Sequence, residues 1–123
     1  MKSFKVEPWG QRVYVSSDSK KVMARYNNHA ACVEKETAED FLDCRGCAYY
    51  LPAKGRNKVL FMYYVSPSWS PLVWDDLSTL FHEALHMAHY LMEYCGAPIN
   101  LDSTETQAYL MEHIALMARK KLI

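Results

Sequence analysis

The stretch Thr79-Leu80-Phe81-His82-Glu83-Ala84-Leu85-His86 constrains this chain more than any other. It sets His-Glu-x-x-His inside an apolar, helix-compatible run. On an α-helix, residues i and i+4 lie one turn apart on the same face, so His82 and His86 can turn both imidazoles toward a single ion. Zinc accepts such a nitrogen pair and needs at least one more protein ligand. Glu83, beside the first histidine, is placed to take a proton from a metal-bound water. The same motif also arises on ordinary surface helices, where two histidines are simply solvated. The surroundings favour a helix buried on one side: Leu77, Leu80, Phe81, Ala84, Leu85, Ala88 and Leu91 predict a broad apolar face. Asp75 or Asp76 is the expected cap, and Gly96 followed by Ala97-Pro98 the expected stop.

A chain of 123 residues, half of them hydrophobic, suffices for one domain with one core. Its formal net charge of zero argues against a general nucleic-acid binder, which is usually clearly basic. No apolar run approaches the length of a membrane span, and the opening residues lack the apolar segment of a signal peptide. A soluble cytoplasmic protein is the expectation, with Cys32, Cys44, Cys47 and Cys95 reduced. Cys44-Arg45-Gly46-Cys47 has the spacing of a metal knuckle but no second such pair, so these read as ordinary, partly buried thiols.

Residues 4–9 and 12–16 read as short strands around Pro8 and Gly10. Asp18 or Ser19 can cap a helix reaching about Asn27, with Val22, Met23 and Tyr26 turned inward. Thr37-Ala38-Glu39-Asp40 opens a short helix ending near Asp43, with Phe41 and Leu42 packed inside. Residues 48–51 and 59–65 form a hairpin whose second strand is apolar on both faces, as at the centre of a sheet covered by helices. A long helix from about Glu105 to Lys121 closes the chain. Strands and small helices followed by two long helices make an α+β arrangement, with a small antiparallel or mixed sheet.

The last helix carries Glu105, Tyr109 and Glu112 at i, i+4 and i+7, on one face. In a two-helix hairpin this face would lie against His82 and His86. Glu105 would complete a His, His, Glu set and leave one position for water. Two alternatives stand beside it. Asp102-x-x-Glu105 is also a capping box without any metal. Glu112 could instead be the ligand, or a group orienting a histidine. Tyr109 and His113 are candidates to hydrogen-bond an oxyanion, or packing residues between helices. His89 reads as a polar helix-face residue or an outer partner of the site, and His29 has no visible context.

Phe81-His82-Glu83-Ala84-Leu85-His86, the tyrosine-containing helix ending at Cys95-Gly96, and Glu105-Thr106-Gln107-Ala108-Tyr109-Leu110 together resemble the small zincin-type metallopeptidase proteins of bacteriophages and prophages. These are similar to gluzincins, in which a second helix supplies a glutamate ligand. The resemblance covers about the second half of the chain, with a weaker likeness in the hairpin and Asp43-Cys44-Arg45-Gly46. It implies a minimal zincin-like domain with one Zn2+ per chain on His82, His86 and Glu105, and Glu83 as general base. It further implies that the strand within residues 59–65 pairs with extended substrate. Larger gluzincins add a C-terminal subdomain that this chain, ending at Ile123, lacks, which implies weak cleavage of ordinary peptides.

The resulting expectation is a zinc-dependent metallopeptidase-like hydrolase acting on a protein or peptide in the cytoplasm, the host's if the gene is a phage's. Its rival is a non-catalytic, zinc-stabilised phage protein that binds and inhibits a host protein through exposed aromatic residues, with Trp9, Trp69 and Trp74 as candidates.

Overall fold

The computed structural model describes residues 1–70 and 72–123. Four strands form one mixed sheet in the order β1-β2-β4-β3: β1 Lys2–Val6, β2 Gln11–Ser16, β3 Gly46–Leu51 and β4 Leu60–Val65. β1 and β2 pair antiparallel, as do β3 and β4, while β2 and β4 run parallel, with Val13 opposite Phe61 and Val15 opposite Tyr63. Among the described residues three α-helices accompany the sheet, α1 Ser19–Asn27, α2 Trp74–Tyr94 and α3 Thr104–Leu122, giving the α+β class expected.

Every residue of β4 is buried, and the period of two along a strand divides them between two layers. Phe61, Tyr63 and Val65 join Phe4, Val6, Val13 and Val15 beneath α2 and α3. Leu60, Met62 and Tyr64 face the other way, with Val22 of α1 and Phe41. A strand apolar on both faces therefore sits in the middle of the sheet, covered on each side. Its two edges are taken by β2 and β3, so β4 has no backbone free to pair with an extended substrate, contrary to the implied role. The outer strands are β1 and β3.

Local signals account for most boundaries. Asp18 caps α1, its carboxylate accepting from the Lys20 and Lys21 amides. Residues 38–41 form a 3-10 turn rather than an α-helix, opened by a reciprocal Thr37–Asp40 capping box. Phe41 is buried there, but Leu42 points out, 78% exposed, so the two do not pack inward together. The cap of α2 is Val73, not an aspartate; Asp75 and Asp76 lie in its first turn. Gly96, with φ +72°, ends the helix, and the Ala97 amide closes back on the Met92 carbonyl at 2.8 Å. That is a left-handed stop that glycine adopts at no steric cost.

No helix among the described residues is long and apolar enough to cross a membrane. All four cysteines are free. His29 acquires a context the sequence did not reveal: it is buried, its Nε2–H donates to the Lys58 carbonyl at 2.7 Å and its Nδ1 accepts from the Ala31 amide at 3.1 Å. Trp9 and Trp69 pack against the main core, and the Trp69 indole donates to the Asp76 carbonyl at 2.8 Å. Of the three tryptophans, Trp74 alone is open, at 84% exposure.

Candidate metal centre

α2 lies over the sheet with Leu80, Ala84, Met87, Ala88 and Leu91 against it. Of the expected apolar face, Phe81 and Leu85 remain exposed. The Tyr63 hydroxyl donates to the Leu80 carbonyl from below, tying the metal helix to β4. The histidines point away from this core. His82 Nε2 and His86 Nε2 lie 3.2 Å apart. Two nitrogens bound to one tetrahedral zinc at about 2.0–2.1 Å are separated by about 3.3 Å. The pair thus holds the separation of two zinc ligands; without an ion, one ring N–H can donate to the other.

Glu83 is placed differently from its neighbours. Its side chain is 13% exposed against 67% for His82, and the carboxylate lies 3.9 Å from His82 Nε2. It is tucked between α2 and the start of β3. A methyl added at Gly46 would stand 3.4 Å from Glu83 Cγ and 2.8 Å from Thr79 Cγ2, so this strand admits the helix only because residue 46 has no side chain. Burial pushes the Glu83 carboxyl above its ordinary value, while His86, His82 and the Ala48 amide pull it back. A carboxylate less acidic than usual is a better proton acceptor near neutral pH.

Arg45, Gly46, Ser78, Thr79, His82 and Glu83 line one open recess. The other candidates lie elsewhere. Glu105 and Tyr109 share a second recess with Pro8, Trp9, Thr106 and Leu110, at the turn between β1 and β2. Tyr109 stacks on His113, ring centroids 6.1 Å apart, and His113 Nε2 is buried without a hydrogen-bond partner among the described residues. His89 Nε2–H donates to Gln107 Oε1 at 3.0 Å, linking α2 to α3. Glu112 is exposed on α3. The structure therefore joins His82, His86 and Glu83 and leaves Glu105 and Tyr109 apart from them. Among the described residues no three His, Cys, Asp or Glu side chains converge as a metal cluster. The histidine pair fits two corners of a zinc site, and the third donor is not brought to it in this arrangement.

Arg45, in the wall of the recess, and the residue that holds it were not recognisable as site residues from the sequence. Arg45 pairs with the buried Asp76, and Asp76 Oδ2 also accepts from the Ser70 amide at 3.0 Å. Arg45 precedes Asp76 by thirty-one positions, so no local pattern connects them.

Compared with family models, characterised proteins and solved structures, the chain matches none.

Proposed function

We propose that this protein is a zinc-dependent hydrolase of the metallopeptidase type, acting on a protein or peptide. The observation that supports this reading best is the 3.2 Å approach of His82 Nε2 to His86 Nε2 beside the desolvated Glu83. His82 and His86 would hold the ion, and a third donor from α3 would complete its protein ligands. A bound zinc polarises a substrate carbonyl and lowers the pKa of its water toward neutrality. Glu83 is the proton acceptor: it is adjacent to the pair, is not needed as a ligand, and is made more basic by burial. Arg45 and Ser78 supply hydrogen-bond donors around the same recess.

Glu83→Gln is the decisive variant. The amide keeps the size of the side chain, so fold and zinc content persist. Hydrolysis should fall by about 10²–10⁴-fold, the usual worth of a positioned acid–base group.

A second reading has its own support. Leu72, Val73, Trp74, Phe81 and Leu85 are exposed apolar residues at or near the outer face of α2. In a non-catalytic, zinc-stabilised binder of a host protein, these would be the contact residues. Trp74→Ala would then abolish the biological effect while Glu83→Gln retained it. A fully active Glu83→Gln protein with normal zinc content ends the hydrolase reading.

A further inference from the structure

The recess beside the histidine pair has one permanent cation in its wall. Arg45 lines a space of about 320 Å3 with Gly46, Ser78, Thr79, His82 and Glu83. Its guanidinium pairs with Asp76, whose side chain is 6% exposed, whereas that of Arg45 is 52% exposed. The pair is anchored from both ends. Asp76 accepts from the Ser70 amide through its carboxylate and from the Trp69 indole through its carbonyl. The Arg45 carbonyl accepts the Ser66 amide at 2.8 Å. The backbone of Arg45 is thus tied to the segment that follows β4, and its side chain to the first turn of α2.

Arginine carries five N–H donors in a planar fork. Among the described residues Asp76 is the one acceptor that Arg45 meets, which leaves donors on the half-exposed side of the guanidinium, where the recess lies. A guanidinium fixed on one side and open on the other loses little freedom when a ligand arrives. Its geometry matches a carboxylate through two parallel hydrogen bonds. Asp76 offsets its charge, so directed N–H bonds rather than a broad field would select the ligand.

We infer that Arg45 binds a substrate carboxylate, so that the site takes peptides carrying a carboxylate close to the bond presented to His82 and Glu83. This rests on the hydrolase reading. The carboxylate is either the C-terminus of the peptide or an aspartate or glutamate side chain, and the two sources share the chemistry that Arg45 recognises.

The test uses the zinc-loaded Glu83→Gln protein, so that ligands are not consumed. Three blocked peptides of equal length are titrated by calorimetry: one with a free C-terminal carboxylate, one with a C-terminal amide, and one amidated peptide containing aspartate. In parallel, the Arg45 Nε–Hε resonance is followed by NMR. At least one carboxylate peptide should bind about tenfold tighter than the plain amide or better, and should shift that resonance; which one does so identifies the source. In the same background, Arg45→Met combined with Asp76→Asn removes both charges, so that no lone buried carboxylate is left. It should erase the advantage, so that the carboxylate and amide peptides bind alike. Should that variant not fold, Arg45→Lys, which keeps the charge and loses the fork, should reduce the advantage. Equal binding of all three peptides, no binding of any, or a preference that survives loss of the Arg45 fork overturns the inference. A wild-type protein that binds the carboxylate peptide through Arg45 yet cleaves nothing overturns the hydrolase reading alone. Cleavage without carboxylate preference overturns this inference alone.

Discussion

His89 and Gln107 meet across the two long helices, with the His89 Nε2–H donating to Gln107 Oε1 at 3.0 Å. Because α3 returns along α2 after a short turn, this contact sets their register: each step forward along α3 is a step back along α2. Glu112, five residues beyond Gln107, comes level with Ala84, midway between His82 and His86. Glu105, two residues before Gln107, comes level with Leu91, about 10 Å farther along the axis at 1.5 Å per residue. Glu105 lines the separate recess with Trp9 and Tyr109.

Of the two glutamates Glu112 is thus nearer in level to the histidine pair, although its exposed side chain lies about 140° around α3 from Gln107 and does not reach the pair in this arrangement. Zinc affinity, measured by competition with a chromophoric chelator, should vanish in His82→Ala and His86→Ala. It should fall by about tenfold or more in Glu112→Ala, as for groups that hold or orient a metal site. Glu105→Ala should leave it unchanged. A loss in Glu105→Ala as deep as in the histidine variants would return the third position to Glu105.

The two glutamates show where sequence reasoning reaches its limit. Seven residues apart, they share one helix face, and periodicity cannot separate them; a long-range contact fixes which is level with the histidines. His29 and Lys58 likewise meet through the fold, twenty-nine positions apart. The parallel pairing of β2 with β4 is hidden for the same reason. Short-range features were legible. The i, i+4 histidines converge, β4 is buried on both faces, and Asp18 caps α1. The errors fell where local rules conflict. Leu42 follows Phe41 in a tight 3-10 turn, where successive side chains diverge and only one can face the core. Asp76, one of the two expected caps of α2, is instead drawn into the ion pair with Arg45, and Val73 takes the cap position.

Cys47 gives a pH-dependent test of how β3 packs. Burial raises its thiol to about 11; the Tyr49 hydroxyl opposes that shift, and the charges of Glu83, Cys44 and Glu36 add to it. In a variant with Cys32, Cys44 and Cys95 replaced by serine, iodoacetamide should react slowly at pH 8, and its rate should climb toward a midpoint near 11. The linkage has a definite sign. An unfolded thiol ionises near about 8.5, so above that pH the unfolded chain sheds a proton that the folded chain keeps. Stability should fall as pH rises from about 8.5 toward 11. Cys47→Ala should remove that part of the slope. An alkylation midpoint at the ordinary thiol value would mean that Cys47 is not sequestered.

Gly46 tests whether the approach of α2 to β3 positions Glu83. An added methyl would stand 2.8 Å from Thr79 Cγ2 and 3.2 Å from the Tyr64 carbonyl oxygen, closer than carbon contacts allow without movement. Gly46→Ala should cost about 1–3 kcal/mol in urea unfolding, the usual penalty for overpacking. Thr79→Ser deletes the clashing methyl yet keeps the hydroxyl that donates to the Asp75 carbonyl at 2.9 Å. The double variant should therefore recover part of the loss, and the remainder belongs to the Tyr64 carbonyl, which cannot be trimmed. Simple addition of the two single effects would show that strand and helix do not touch at this point. Hydrolysis should follow the same pattern as stability, because the displaced helix turn carries Glu83 with it.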